Sequence, residues 1–404
     1  MAARYHRFME RPANPAPPRP GLAPGLDALL RRMPKAELHL HLDGSLRPDT
    51  ALELARERGL DEALDLAGMR ARLRGPERAL DQADLLRAFD LPIALLQDAE
   101  SLQRVTSELV QDVAADGTRY VEIRWAPALH VARGLRLDDG IAAVVAGARD
   151  GVAAVAADGH DGPAVAGDGT GVPPMAGDGH GRAAVDGAPR IAVRLIAVAM
   201  RIHEPSDNEA VARAAARFAG EWLTGFDLAG PEAAGADPVV HRGAIEIARG
   251  AGLGITVHAG EWGGAPQVRR ALDLHPSRIA HGSPAIDDPA LVAELRDRGI
   301  TLDLCPSSNV QASVVPSLGD HPLPRLLRAG VPVTLSTDDR TVSDVTLVEE
   351  YRRALRFLGL TPTELWGVDR HALRVAFLAD DEPLRAALLR AFDAFAAGEP
   401  ALRS

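Results

Sequence analysis

Side chains able to hold a metal ion or to move protons follow several short apolar runs of this sequence. His39 and His41 end the first run, and residues two apart in a strand face the same side, so both could bind one ion. Alone, this pair is weak evidence, since two histidines can share the spacing by chance. Three histidines and a carboxylate, with one position left for water, suit a catalytic zinc ion. The other candidates follow later runs: His258 and Glu261, then His281, then Asp338 and Asp339.

Apolar runs rich in Val, Ile and Leu alternate with helix-like segments such as Asp288–Arg298 and Pro324–Ala329. Eight such alternations predict an α/β fold, a (β/α)8 TIM barrel, with extra helices between Asp49 and Gly117 and after Asp344. Active sites of these barrels lie at the carboxyl ends of the strands, where the candidate side chains are found. The predicted strands are Ala36–Leu42, Arg119–Trp125, Ile191–Met200, Trp222–Leu228, Gly254–His258, Arg278–His281, Ile300–Leu304 and Val331–Ser336.

Composition narrows the class of protein. The chain has 404 residues, 46% of them hydrophobic, which suits one barrel with a large core. Its net charge of −11, without a basic stripe, argues against nucleic acid as a partner. No run reaches the ~18 apolar residues of a membrane span, and the N-terminus lacks the apolar segment of a signal peptide. We therefore expect a cytoplasmic protein that acts on a small molecule, with no nucleic acid or membrane as partner.

The single cysteine and the single lysine exclude several kinds of site. Cys305 alone can form neither an intrachain disulfide nor a cysteine-rich zinc cage. The zinc deaminases built on His-x-Glu and Pro-Cys-x-x-Cys are excluded for the same reason. Lys35 lies at the entrance to the first strand, the wrong end for the modified lysine that bridges two metals in some barrel hydrolases. One metal ion per chain is expected.

Two segments differ in composition from the rest. Residues 1–30 are rich in proline and are predicted to be a disordered tail. Residues 31–404 are predicted to form a single barrel domain with a low-complexity insertion at about 151–189. Within it, Val155–Ala188 is a degenerate repeat rich in Gly, Ala and Asp, with too few large apolar groups to offset the entropy of ordering. Its Asp-Gly pairs could suggest calcium, but the pattern differs from the known nonapeptide repeat.

Six motifs, in order, resemble those of the adenosine deaminase family. The resemblance runs from about Met33 to Asp339, interrupted by the repeat, and it implies the amidohydrolase type of barrel. No single motif would be specific, but the ordered set is. The motifs are Met33–Gly44, Phe226–Gly230, His258–Glu261, Arg278–Gly282, Cys305–Asn309 and Ser336–Asp339.

The resemblance implies zinc-dependent hydrolytic deamination of adenosine and 2′-deoxyadenosine. Zinc lowers the pKa of a bound water, which then attacks C6 of the purine. Glu261 would give a proton to purine N1, for which its pKa must be raised by burial. His281 would orient the attacking water and stabilise its charge. The zinc ligands would be His39, His41, His258 and Asp338.

The same resemblance implies the substrate contacts. Asp339 would hydrogen-bond purine N7, the backbone of Gly230 would meet the base, and Asp43 would contact the ribose hydroxyls. Leu85 and Phe89 fall in a segment, Asp84–Phe89, that resembles the family's apolar lid helix. Each has a plainer interpretation: an ordinary amphipathic helix for the segment, packing at the barrel end for Gly230 and Asp227, and capping of the next helix for Asp43.

Two departures from the family pattern leave the substrate less defined than the reaction. Arg340 stands where the family often has proline, and Ser308-Asn309 differs from some members. We expect both to line loops over the site without touching a proposed ligand. Adenine or a 5′-modified adenosine therefore stays open as the substrate. A different metal-dependent barrel hydrolase and a barrel that only binds its ligand are further alternatives.

The remaining histidines lack a comparable context. His203 follows the third predicted strand and could lie near the site. Surface or loop positions are expected for His6, His130, His160, His180, His241, His275 and His321.

Overall fold

The computed structural model describes residues 21–60, 63–157, 188–232, 236–378 and 381–403. Eight parallel strands pair in sequence order, which confirms the predicted barrel. Each strand end lies within two residues of its predicted position. The strands are β1 Lys35–His41, β2 Thr118–Trp125, β3 Ala192–Met200, β4 Leu223–Ala229, β5 Gly254–Ala259, β6 Arg278–His281, β7 Thr301–Leu304 and β8 Val333–Leu335.

Hydrogen bonds between the first and last strand regions close the barrel beside the candidate site. The backbone N–H of His41 donates to the carbonyl of Asp338 (2.8 Å), and that of Asp338 donates to the carbonyl of His39 (3.0 Å). The chain just after β8 thereby reaches the carboxyl end of β1. Two of the candidate metal-binding segments are thus joined directly by backbone hydrogen bonds.

Helices surround the strands, and many begin with proline in the first turn, where its missing N–H costs nothing. The predicted extra helices are present both between β1 and β2 and after β8. A π-helical turn, Ala354–Leu358, follows α14. The helices are α1 Pro24–Arg32, α2 Pro48–Glu57, α3 Leu66–Leu73, α4 Gln82–Leu86, α5 Asp90–Leu95, α6 Ala99–Ala115, α7 Leu137–Ala157, α8 Pro205–Arg217, α9 Arg242–Gly250, α10 Gly264–Ala271, α11 Pro289–Arg298, α12 Pro306–Gln311, α13 Leu323–Arg328, α14 Leu347–Arg353, α15 Pro362–Val375 and α16 Glu382–Ala397.

Helices α6 and α7 pack closely because α7 carries two glycines, one turn apart, on the face toward α6. A Cβ on Gly147 would lie 2.2 Å from the carbonyl oxygen of Gln103, and one on Gly151 would lie 2.6 Å from Cβ of Val110. Of the described helices, α7 is the one whose length and composition would also suit a membrane span. Here it contributes buried residues, including Ile141 and Val144, to the hydrophobic core.

The predicted low-complexity insertion overlaps the end of α7. Residues Gly151 to Ala157 are helical, because their alanines and valines continue the packed face of α7 into the predicted insertion. After the gap, Ala188 is buried. Residues 158–187, with most of the repeat, and residues 1–20 of the predicted tail lie outside the described residues. The prediction of a disordered tail was wrong for residues 24–30, which belong to α1, because Leu29 and Leu30 are buried in the hydrophobic core.

Charged side chains fill much of the barrel interior. We call Asp227, Arg124, Asp303, Arg278 and Glu122 the interior charge column; none of their side chains is exposed. Arg124 lies 2.8 Å from Asp227 and 3.9 Å from Asp303, and Asp303 lies 3.2 Å from Arg278. Arg278 in turn bonds Glu122. Since a buried charge is tolerated only with a partner, the alternating signs make this interior possible.

The interior charge column links the candidate site to the far end of the barrel. At one end, Asp227 Oδ2 lies 2.9 Å from Nδ1 of His258. At the other, Glu122 accepts the backbone N–H of Phe377, and the guanidinium of Arg278 lies 3.7 Å from the centroid of the Phe377 ring. A chain of charged contacts thus runs from a candidate metal ligand to the segment after α15.

Lys35 lies at the amino end of β1, as the sequence predicted, and is fully buried. Its Nζ donates to the carbonyls of Met33 (2.7 Å) and Asp116 (2.9 Å). Burial lowers the pKa of Lys35 to about 8. Because this is the chain's only lysine, no lysine reaches the carboxyl ends of the strands.

Candidate active site

Four of the predicted ligands converge at the carboxyl end of the barrel. The Nε2 atom of His41 lies 3.3 Å from Nε2 of both His39 and His258. Oδ1 of Asp338 lies 2.9 Å from Nε2 of His39 and 3.4 Å from Nε2 of His41. Donor atoms this close together can all lie ~2.1 Å from one ion, the usual length of zinc–nitrogen and zinc–oxygen bonds. The residues present therefore fit a single zinc ion.

Protonation favours the same interpretation. Burial lowers the pKa of His39 well below its usual value and that of His41 to about 3, so both imidazoles are neutral and can offer lone pairs. Burial opposes ionisation of Asp338, but the nearby His39 and His281 outweigh it and hold the pKa of Asp338 well below its usual range. Neutral imidazoles and a charged carboxylate are the states in which these side chains bind a metal.

The backbone is strained where Asp338 enters the site. Asp338 has a φ of 69° and His281 a φ of 65°, the left-handed region that residues with a Cβ seldom adopt. Glu37 holds the turn before Asp338 by accepting the N–H (2.9 Å) and the hydroxyl (2.6 Å) of Thr337. Such conformations persist only where the surroundings impose them, and they are concentrated at functional sites.

Further side chains orient the candidate ligands. Asp227 contacts Nδ1 of His258, so its role goes beyond packing at the barrel end. The hydroxyl of Ser308 donates to Oδ2 of Asp338 (2.6 Å), so the expectation that this loop touches no proposed ligand was wrong. Partners of this kind fix the rotamer of a ligand and tune its affinity for the metal. The contact of Ser308 was missed from sequence because Ser308 follows β7, whereas its partner Asp338 follows β8.

His281 and Glu261 lie beside the cluster without belonging to it. Nε2 of His281 is 3.9 Å from Oε1 of Glu261 and 3.8 Å from Oδ2 of Asp338. Nδ2 of Asn309 lies 3.1 Å from Nδ1 of His281, and Oδ1 of Asn309 lies 3.0 Å from Nε2 of His321. With the amide in this orientation, Nδ1 of His281 accepts, and the ring proton is on Nε2, facing the site.

The carboxyl group of Glu261 has the protonation that an acid requires. Burial, followed by the negative charge of Asp338, raises the pKa of Glu261 to about 8. Its side chain keeps 15% exposure, so it can still reach a ligand. A carboxyl with this pKa carries its proton at neutral pH, as the proposed general acid must.

Asp339 can lie close to Asp43 because the next residue after Asp43, Gly44, has no side chain. A Cβ on Gly44 would lie 1.7 Å from Oδ1 of Asp339, so only glycine admits this carboxyl. Burial raises the pKa of Asp339 well above its usual value and that of Asp43 to about 6. Both have a buried Oδ1 without a hydrogen-bond partner among the described residues, which leaves those atoms for a ligand.

Asp43 does not cap the next helix. The N-cap residue of α2 is Arg47, and no side chain caps that helix. Asp43 instead begins a short 3-10 helix, Asp43–Ser45.

Gly230, the expected contact to the base, has a φ of 101°, which glycine adopts without strain. A side chain there would also come within 3.3 Å of the Met200 methyl group. Ala126, Val198 and Ala229 form a small apolar cluster at this side of the barrel mouth, with Met200 packed against it.

The predicted lid segment, Asp84–Phe89, is helical in two consecutive parts. Helix α4 ends at Leu86, a 3-10 turn spans Arg87–Phe89, and α5 begins at Asp90. Leu85 is buried in an apolar cluster separate from the main core, and Phe89 and Trp262 pack against that cluster. Since Trp262 directly follows Glu261, the lid segment contacts the turn that carries the acid.

Several expectations outside the site were wrong. Arg340 was expected to line a loop over the site, but its guanidinium lies 3.3 Å from Asp116. His130, His241 and His321 are buried, each bonded to a backbone or side-chain partner, and are not surface residues. The half-buried His203 lies just past β3.

Comparisons with known proteins agree with this geometry. The sequence profile described as "Adenosine deaminase" matches residues 34–394. The adenosine deaminase of Mycobacteroides abscessus is 36% identical over 369 residues, covering 88% of this chain and 93% of that protein.

Two solved structures share the fold at 26% identity. One is a zinc-bound cog1816 amidohydrolase from Burkholderia ambifaria, with a TM-score of 0.77 over 94% of this chain and 97% of that one. The other is an adenine deaminase from Arthrobacter aurescens, with a TM-score of 0.74 over 90% and 99%. The chain therefore belongs to the adenosine deaminase family and is a hydrolytic deaminase of purines.

Proposed function

We propose that this enzyme deaminates adenosine and 2′-deoxyadenosine to the corresponding inosines and ammonia, using one zinc ion. The observation that carries the proposal is the position of Glu261. Its carboxyl lies beside His281 and next to the four-ligand cluster, and its raised pKa keeps it protonated. A protonated carboxyl there can donate its proton to a ring nitrogen of the purine when that nitrogen gains electron density.

The metal would be held by His39, His41, His258 and Asp338. Zinc supplies Lewis acidity there, lowering the pKa of water so that a nucleophile exists near neutral pH. The second possible group, His281, Cys305 and Asp338, shares Asp338 with the first. Burial raises the pKa of the Cys305 thiol well above its usual value, so this group is the poorer donor set.

Glu261 is assigned the proton transfer, and His281 the orientation of the attacking water. Glu261 would give its proton to N1 as water adds to C6, which neutralises the charge that develops on the ring, and it would regain a proton from that water. His281, with its proton on Nε2, would orient the water and is itself held by Asn309. The hydroxyl proton on the tetrahedral carbon would then pass to the 6-amino group, which leaves as ammonia and gives the 6-oxopurine.

Base recognition is assigned to Asp339 and Gly230. Because burial keeps Asp339 protonated, its carboxyl can donate a hydrogen bond to N7, an acceptor. The backbone N–H of Gly230, uncovered by any side chain, is free to approach the base edge. Leu85 and Phe89 close the apolar side of the pocket and exclude water.

Asp43 is assigned to the ribose, with its partnerless Oδ1 accepting a hydroxyl hydrogen. A nucleoside should therefore be preferred over adenine, and the nearby acidic groups should repel a 5′-phosphate. We further propose that the enzyme acts in the cytoplasm. The barrel and helix α1, which packs on its core, would form one domain, with the low-complexity insertion between α7 and β3.

The test is a panel of 6-aminopurines given to the zinc-loaded protein, with ammonia release as the measurement. Adenosine and 2′-deoxyadenosine should give the highest kcat/KM, and adenine, AMP and 5′-modified adenosines lower values. Chelation should abolish release, and zinc should restore it. Preference for adenine would instead place the enzyme with free-base deaminases. Preference for a 5′-modified adenosine would show that the enzyme recognises the 5′ substituent.

A further inference from the structure

A second buried carboxylate holds the turn that carries Glu261. Glu232, on the loop after β4, is 6% exposed. Its Oε2 accepts the N–H of Gly263 (2.7 Å) and of Trp262 (3.3 Å), and its Oε1 accepts the N–H of Glu261 (3.4 Å). Three consecutive backbone donors therefore point at one side chain.

This arrangement requires an acceptor without protons. A carboxylate offers lone pairs on both oxygens, whereas an amide of the same size would turn an NH2 group toward at least one of the N–H donors. Bonds from N–H groups to a charged acceptor are also stronger than neutral ones. Gly263 permits the approach, since a Cβ there would lie 2.9 Å from Oε2 of Glu232.

Glu232 is itself tied to α4, the helix whose last residues begin the lid segment. Its backbone N–H donates to Oε1 of Gln82 (3.0 Å), the first residue of α4. One residue of the β4 loop thus contacts α4 through its backbone and the Glu261 turn through its side chain. A displacement of the loop would disturb both.

We propose that Glu232 is a positioning residue, whose carboxylate fixes the Glu261 turn so that the acid reaches N1 of the bound purine. The inference rests on the proposed function, because it needs Glu261 as the acid. The competing explanation is that Glu232 only stabilises the loop. That explanation predicts a loss of folding stability without a specific loss of turnover.

The experiment uses the full zinc-loaded chain, with kcat, KM, metal content and melting temperature measured on adenosine. Glu232→Gln should lower kcat about 10²-fold, the order of loss that misplacing a reacting group by about 1 Å produces. KM should change less than about threefold, and the metal content should stay at the wild-type value. Asp237→Asn is the matched control: its carboxylate caps Val239 on the same loop but does not touch the Glu261 turn. This control should keep kcat within about twofold.

A double variant separates positioning from a general effect. If Glu232 acts through Glu261, adding Glu232→Gln to Glu261→Gln should cause no further loss of the residual turnover. An equal loss in both backgrounds would overturn the proposal, as would a normal kcat in Glu232→Gln alone. Should Glu232→Gln not fold, Glu232→Asp keeps the charge but is too short to reach all three donors. It should lose about tenfold in kcat, and full activity in Glu232→Asp would equally overturn the proposal.

The proposed function can fail separately. A wild-type enzyme that releases no ammonia from any 6-aminopurine nucleoside, or a Glu261→Gln variant of normal turnover, would remove the acid and with it the role of Glu232. If the wild type is active, Glu261→Gln is inactive and the Glu232 variants keep normal turnover, only the positioning role of Glu232 is refuted.

Discussion

Neighbouring carboxyl groups in the site are pushed toward opposite protonation states. Burial raises the pKa of Glu261 and Asp339, while for Asp338 the adjacent histidines outweigh burial and lower it. Such divergence separates groups that give protons from groups that bind cations. The assignment of Glu261 as acid and Asp338 as ligand follows from their surroundings, since both are carboxylic acids.

The raised pKa of Glu261 sets an expected pH dependence. The acid form is the active one, and it is lost as pH rises through the pKa of about 8. We therefore expect kcat/KM for adenosine to hold near neutral pH and to fall tenfold per pH unit above about 8. A profile measured in buffers from about pH 6 to 10 checks this. Glu261→Gln should be ~10²-fold less active or worse and should lack this alkaline limb. A wild-type profile flat to pH 10 would contradict the assignment.

Asp43 should decide between nucleoside and free base. Its buried Oδ1 has no partner among the described residues, so a sugar hydroxyl would satisfy it and adenine would not. An unsatisfied buried group costs about 1–3 kcal/mol, or roughly 5- to 150-fold in discrimination. Asp43→Ala should narrow the adenosine-to-adenine ratio of kcat/KM by that factor. Ser45→Ala, in the same 3-10 helix, should leave the ratio unchanged. Equal losses on both substrates in Asp43→Ala would refute the sugar contact.

The candidate ligands could be predicted from sequence because strand periodicity and position after each strand are local signals. The side chains that orient these ligands could not be predicted from sequence. Ser308 meets Asp338, and His321 reaches His281 through Asn309, only because loops after different strands pack together. His321 follows a polar loop, so its burial depends on a tertiary contact that no local pattern encodes.

At the level of elements, the α6–α7 contact depends on glycine in a helix. Gly147→Ala would gain up to ~1 kcal/mol in helix propensity but would place a Cβ 2.2 Å from a backbone oxygen. Overpacking against backbone costs about 1–3 kcal/mol, so the net effect should be destabilising. Gly367→Ala, in the middle of α15 with open space around it, should instead stabilise by up to ~1 kcal/mol. Chemical denaturation of both variants measures the difference, and equal shifts would show that packing does not decide the outcome.

Strand positions were predictable, but the contents of the barrel were not. Glu122 and Arg124 alternate with apolar residues on β2, a pattern that ordinarily marks a solvated face. In a closed parallel barrel both faces are buried, so these charges must meet partners from β4, β6 and β7 instead. The lid segment is helical, as its apolar spacing predicts, but its change from α-helix to 3-10 turn at Arg87 has no signal in that spacing.

Over the whole molecule, the candidate metal site joins β1, β5 and the chain after β8. Removing the ion should therefore affect folding as well as turnover. At ~1,000 times its dissociation constant, a ligand that binds only the folded state stabilises it by about 4 kcal/mol. We expect close to one zinc per chain, and we expect the chelated protein to melt several degrees lower and to regain both properties with zinc. The difference in melting temperature between zinc-loaded and chelated protein should disappear in His41→Ala and remain in Glu261→Gln. Two tightly bound ions, or equal melting of both forms, would contradict this.

The interior charge column has a consequence for how this protein can change over evolution. Replacing Arg278 alone would leave Glu122 buried without a cation and Asp303 with only the more distant Arg124, and removing one partner of a buried pair costs about 3–5 kcal/mol. A single substitution in the column should therefore be strongly destabilising, and several column members would have to change together for the barrel to stay folded. The described residues of the loops after β3 and β4 and of the lid segment form no comparable column of alternating buried charges. New substrate preferences in this scaffold should therefore arise at the rim, while the charged interior passes unchanged from ancestor to descendant.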